Sequence, residues 1–350
     1  MLLIEAHKNT SDGGKMKFYI YNPDKNFTDV TAKYLSVICN SLEKKGNTCE
    51  ETERLPTVPD EQKFGAVVVY AKHAIEARKK GYRPIIYWIQ GIVPEESYMR
   101  NHSRVRKFVL SMIEKKALKS SDFVLYVSEK MEKHFWKKYQ FRTTSSYIMP
   151  CFSKEFPLTT FNNERYKENV FLYVGRLSVW QCFEKTVQLY KEIEKHIEDT
   201  KFLVLTPQWK EAEEYLKQYG VKNYEVSYVV PEEMSKAIQY CKFGFCLRDE
   251  DVVNYVATPT KLSDYIGNGI IPIYTKYIGD FAEISKENPY CLCVEAPDFW
   301  SKLKQLSMGP VYGEDLYNSF SKTFGDYYSS EYHEEHLIQK LSILQEQFGV

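Results

Sequence analysis

The sequence predicts an α/β protein of two domains, each built on a parallel sheet, and three observations carry that expectation. Short runs rich in Val, Ile, Tyr and Phe alternate with longer helical patterns from one end of the chain to the other. Most of these runs are apolar throughout, as strands covered on both faces by helices are. At 350 residues the chain also exceeds the roughly 250 residues at which a single core stops growing, so two cores are expected.

In the first half the strand candidates are KFYIY (17–21), AVVVYA (66–71), PIIYWI (84–89), DFVLYV (122–127) and SYIMP (146–150). Helices are read between them, among them VTAKYLSVICNSLEKKG, with Gly46 as a C-cap, and SYMRNHSRVRKFVLSMIEKKALKSS. In the second half NVFLYVG (169–175), KFLVLT (201–206), YEVSYV (224–229), FGFCL (243–247) and GIIPIY (269–274) take the strand part, again separated by helical patterns. The polar, irregular stretch CFSKEFPLTTFNNERYKEN (151–169) marks the join. The expected domains are therefore 1–155 and 156–311, with a helical segment over 312–350 that returns to brace the first.

Composition narrows the class. Hydrophobic residues make up 43% of the chain and aromatic residues 15%, which excludes a disordered protein. No apolar run reaches about 18 residues, and MLLIEAHKNTSDGGK has too short an apolar stretch for a secretory signal, so a cytoplasmic protein is expected. The eight cysteines are scattered without a CxxC pair, and neither disulfides nor structural zinc are expected. The net charge of zero conceals an asymmetry: residues 1–150 hold 26 Lys and Arg against 17 Asp and Glu, and the remainder holds 21 against 30.

A basic first half suits an anionic partner. Arg100, Arg104, Lys107, Lys115 and Lys119 fall roughly along one side of a helix, beside Phe108 and Leu118. One reading is peripheral contact with the inner face of a membrane or with a lipid-diphosphate acceptor; the other is a solvated helix face. No nucleic-acid-binding motif accompanies the charge, so nucleic acid is not an expected partner. HEEH (333–336) lacks the HExxH spacing of a metal site and reads as a solvated helix.

In open α/β sheets ligands bind at the carboxyl ends of the strands, so the residues just after strands are the site candidates. These are Trp88, Gln90 and Gly91; Ser128; Gly175 and Arg176; Thr206; Val230 and Glu233; and Arg248. Trp88 and Trp180 each suit stacking on a sugar or packing in a core. His102 is read either as a hydrogen-bonding group on the acceptor side or as an exposed helix histidine. In ATPTKLSDYIGNGIIPI (257–273), Pro259 and Thr260 signal a helix start, and Lys261 and Asp264 share a face of its first turn. A helix start with a lysine suits a phosphate; an ordinary i,i+3 surface pair is the alternative.

YVGRLSVWQ, VVPEEMSKAIQYCKFGFCLR and PTKLSDYIGNGIIPI resemble, in that order, the retaining sugar-nucleotide enzymes of glycosyltransferase family 4, which have the GT-B fold. WIQGIVPEES and ALKSSDFVLYVSEKMEKHF are similar, more loosely, to segments flanking the acceptor cleft. The resemblance implies two Rossmann-like domains facing across a cleft, and transfer of a sugar from a nucleotide-diphosphate sugar to a glycan or lipid-linked acceptor, with retention and without a metal. It also implies a role in bacterial surface polysaccharide synthesis. Asp264 would hold the ribose hydroxyls, and Arg176 and Lys261 would neutralise the departing diphosphate beside the Gly175 turn. Gln90, Gly91 and His102 would lie on the acceptor side, and Thr206, Val230, Arg248 and Thr260 around the nucleotide.

The departures are Gln181 where family members carry Lys, Val256 where they carry Glu, and Asp264 where many carry Glu. With Val256 in that place, Glu250, Asp251 or Asn254 is left to approach the sugar. DGG (12–14) precedes the first strand instead of following it, as the family's acceptor loop does. A GT-B epimerase and a non-catalytic nucleotide-sugar-binding subunit remain as alternatives.

Overall fold

The computed structural model describes residues 15–59, 63–143, 145–153 and 156–348; the DGG segment lies outside them. The first domain runs β1 (Lys17–Tyr21), α1 (Asp29–Glu43), β2 (Thr48–Thr52), β3 (Phe64–Val68), α2 (Ala71–Lys79), β4 (Ile85–Ile89), α3 (Val93–Asn101), α4 (Arg104–Lys119), β5 (Phe123–Tyr126), α5 (Glu129–Tyr139) and β6 (Ser146–Ile148). Its strands pair in parallel in the order β2-β1-β3-β4-β5-β6.

The second domain runs β7 (Asn169–Val174), α6 (Phe183–His196), β8 (Thr200–Leu205), α7 (Trp209–Gln218), β9 (Tyr224–Ser227), α8 (Met234–Ala237), β10 (Phe243–Cys246), α9 (Val252–Val256), α10 (Thr260–Gly267), β11 (Ile271–Tyr274), α11 (Gly279–Ile284), β12 (Leu292–Cys293) and α12 (Phe299–Met308). This sheet, also parallel, has the order β12-β11-β10-β7-β8-β9, the doubly wound order whose direction reverses between β7 and β10. Helices α13 (Gly313–Phe324) and α14 (Ser330–Phe348) complete the chain.

Strands β4, β5, β10 and β11 are buried at every position, which is why continuous apolar runs marked them. Trp88 belongs to this core and not to a cleft: its ring stacks on Tyr34 with centroids 3.9 Å apart. The structure adds β2, TCEET, an edge strand with three of five residues exposed, whose polar sequence carries no strand signal. It also moves β3 upstream, because Tyr70 already caps α2.

The single helix expected over 97–121 is two. His102 takes the left-handed conformation at φ 51° and ends α3, and the Ser103 hydroxyl accepts from the Arg106 N–H at 3.2 Å to start α4.

The chain passes to the second domain through the segment after β6 and returns at the end of α13. Phe152 on the outward passage lies 6.2 Å from the Tyr328 ring on the return, and stacks on His333 at 5.7 Å. α14 then lies along α1, where the Glu334 carboxylate accepts from Asn40 at 2.7 Å and pairs with Lys44 at 2.6 Å. His333 is buried, in contrast to the solvated position expected for it. It is bonded to the Tyr147 hydroxyl at 2.8 Å, and burial pushes its pKa down to about 4.

Candidate nucleotide-sugar site

The direction reversal between β7 and β10 places the Gly175 turn beside the Arg248 turn, at the carboxyl edge where such sheets bind ligands. A cavity of about 490 Å³ opens there. Its second-domain wall comes from the β7 and β10 turns, from α9 and from the start of α10; its first-domain wall comes from Gln90, Gly91, Glu96 and Met131.

Helix α10 starts without a side-chain cap on Pro259, and the first N–H groups of a helix have no intrahelical acceptor. Ala257, Thr258, Pro259, Thr260 and Lys261 bring that helix start to the cavity wall. Lys261 is 8% exposed and reaches under the Gly175 turn. Gly175 has φ 131°, and a Cβ there would stand 3.5 Å from the Lys261 ammonium, so the bare turn leaves the backbone and this cation within reach of one ligand.

The Lys261 Nζ donates to Gln181 Oε1 at 3.0 Å and lies 4.4 Å from the centre of the Tyr173 ring. Burial pushes its pKa down to about 7, and Arg248 acts in the same direction. Arg248 is 4% exposed; its backbone is clamped by Thr275, which accepts from the N–H at 2.8 Å and donates to the carbonyl at 2.9 Å. Neither Arg248 nor Lys261 has an ion-pair partner among the described residues. A buried arginine and a buried lysine therefore face one cavity with no carboxylate bridge to either.

Asp264 lies one turn along α10 and lines the same cavity, where the Ser153 hydroxyl donates to its Oδ1. Asn254, held by a 3.0 Å bond from its Nδ2 to the Asp249 carbonyl, also lines it. Gln90, Gly91, Gly175, Gln181, Arg248, Asn254, Thr260, Lys261 and Asp264 are thus brought together.

Four expected residues lie outside this wall. Arg176 has an exposed side chain, and its carbonyl accepts from Tyr173 at 2.8 Å. Thr206 is buried, its hydroxyl accepting from the Gln208 N–H at 3.2 Å. Val230 is exposed, and His102 is the exposed cap of α3.

Sequence reasoning missed Glu96. An added Cβ on Gly91 would stand 2.1 Å from the Glu96 Oε1, so the glycine makes room for this carboxylate at the cavity. Burial pushes the Glu96 carboxyl up, against the opposing pull of Arg100. The available signal was an acid in the first turn of the helix after WIQG. Of the two readings open for Trp180, the structure favours the cleft: it lines the cavity beneath the Arg100 guanidinium, 5.7 Å from its ring centre.

The two cavity walls are joined by polar contacts. Ser128 donates to the Val256 carbonyl at 2.6 Å, Cys151 N–H to Thr258 at 2.9 Å, and Asp280 accepts from the Glu129 N–H at 2.7 Å and the Lys130 N–H at 3.3 Å. Among the described residues no group of three His, Cys, Asp or Glu is placed to hold a metal.

No family model matches the chain, and no curated protein does. Solved structures do. Sucrose-phosphate synthase from Thermosynechococcus elongatus is similar with a TM-score of 0.66 and 11% identity over 95% of this chain and 100% of that one. The lipopolysaccharide outer core galactosyltransferase WaaB gives 0.64 and 12% over 94% and 99%. HepE of Anabaena, solved with UDP, gives 0.60 and 10% over 94% and 100%. A TarM variant from S. aureus gives 0.56 and 9%, and there this chain spans about half, 55%, of the other. At these identities the likeness speaks for the fold: two facing parallel sheets in the GT-B arrangement.

Proposed function

We propose that this chain is a glycosyltransferase that moves a sugar from a nucleotide-diphosphate sugar to a hydroxyl of a glycan or lipid-linked acceptor, with retention, in surface polysaccharide synthesis. The observation that carries the reading is the pair of buried basic side chains, Arg248 and Lys261, facing one cavity beneath a bare glycine turn at a helix start. A diphosphate supplies the negative charge that this arrangement lacks, and the growing charge on the leaving diphosphate is what preorganised cations stabilise. Asp264, one turn further along α10, accepts two ribose hydroxyls. The second cation is assigned to Arg248, since the Arg176 side chain is exposed outside the wall.

The donor sugar then points at the first-domain wall, where Gln90, Gly91 and Glu96 meet the acceptor. In front-face attack the acceptor hydroxyl bonds to the anomeric carbon on the side from which the diphosphate leaves, and a diphosphate oxygen takes the hydroxyl proton. Charge neutralisation by Arg248 and Lys261 assigns no step to a metal.

The TarM variant and HepE were both solved with UDP, so UDP is the first nucleotide to test. Thermal unfolding of wild type and Asp264→Ala would be compared with UDP, GDP, ADP and their sugars, in the presence of a chelator. A ligand at about 100 times its Kd contributes roughly 2.7 kcal/mol. A shift with one nucleotide family, reduced in the variant, and a product of unchanged anomeric configuration by NMR are expected. A folded protein that responds to no nucleotide would overturn the reading.

A second reading is favoured by Gln181 and Val256, which put an amide and an isopropyl group on the cavity wall at the positions where the resemblance implies Lys and Glu. It is a nucleotide-sugar-binding subunit, recognised by donor binding without transfer or hydrolysis.

A further inference from the structure

We propose that α4 is a membrane-docking helix whose exposed face enters the headgroup region of an anionic lipid bilayer. This goes beyond the glycosyltransfer reading and stands independently of it. Val105, Phe108, Val109, Met112 and Ile113 follow the i, i+3, i+4, i+7, i+8 spacing that ordinarily faces a core, yet they are 76%, 68%, 51%, 55% and 38% exposed. The side of α4 that does face the core is a different one, marked by the buried Glu114, Ala117 and Leu118. Isolated exposed apolar residues are ordinary; five that form one stripe on one helix are a surface.

Charge selects the occupant. At the start of the stripe stand Arg104 and Arg106, and at its end Lys115, Lys116 and Lys119, none with an ion-pair partner among the described residues. The only acid of α4, Glu114, is buried and accepts from Lys138 at 2.9 Å. Lys107, expected on the basic face, instead turns inward to Glu95 at 3.5 Å. An apolar stripe bounded at both ends by unpaired cations matches acyl chains beneath anionic headgroups. A second copy of the chain would bring the same cations against themselves.

The helix is also well placed. α3, which supplies Glu96 to the cavity and Arg100 to Trp180, ends just before α4 begins. A bilayer on α4 therefore lies beside the first-domain wall, where a lipid-linked hydroxyl would enter.

The test is flotation of the full chain with vesicles of phosphatidylcholine alone and with added phosphatidylglycerol. One variant carries Val105→Ser, Phe108→Ser and Met112→Ser; another carries Lys115→Glu and Lys119→Glu. Wild type is expected to float with the anionic vesicles and not with the neutral ones, and each variant to bind them at least roughly tenfold more weakly with an unchanged thermal midpoint, since every altered side chain is outside the core. Failure of wild type to bind anionic vesicles overturns the proposal, as does undiminished binding by the serine variant. A wild-type dimer that the serine variant dissociates, with vesicle binding unaltered, overturns it in favour of self-association.

Discussion

Burial takes Lys261 down to about 7, so at mildly alkaline pH its amine is mostly neutral. A diphosphate beside it favours the ammonium, and binding at pH 8 is expected to take up about one proton. Calorimetry of UDP binding in Tris and in HEPES, whose ionisation enthalpies differ, reads that uptake; Lys261→Met is expected to abolish it. The same shift sets a stability trend. The unfolded chain keeps this lysine protonated up to its ordinary value of 10.5, so between about 7 and 10.5 the unfolded state holds the extra proton and stability rises with pH. Lys261→Met should flatten that rise in urea titrations.

The helix start and spacing in PTKLSDY put Lys261 and Asp264 on one face, where a surface pair was equally open, and the resemblance pointed them to a nucleotide. Glu96 was not legible, since its place in the cavity depends on Gly91 and on a domain that faces it from elsewhere in the chain.

At the scale of elements, apolar strands were the most readable feature, and the edges of elements the least. β2 hid in a polar sequence because an edge strand needs little burial, and the break at His102 depends on a left-handed residue that no periodicity shows. The join between α11 and α5 yields a prediction. Asp280 caps α5 from the other domain by accepting two N–H groups, while burial pushes its carboxyl up and tempers that gain. Asp280→Ala is expected to cost about 1 kcal/mol in chemical denaturation, and Asp280→Asn, which keeps a cap acceptor, less.

At the scale of the molecule, the last helix is part of the first domain's packing. Leu337, Leu341 and Leu344 are buried at helical spacing on α14, which lies along α1. Leu341→Ala is expected to lower stability by about 2–5 kcal/mol.

The outward and return passages of the chain meet where Phe152 touches both Tyr328 and His333. Together with the Ser128–Val256, Cys151–Thr258 and Asp280–α5 bonds, this contact fastens one domain to the other at several separate points, and Gln90 and Gly91 are held opposite the start of α10.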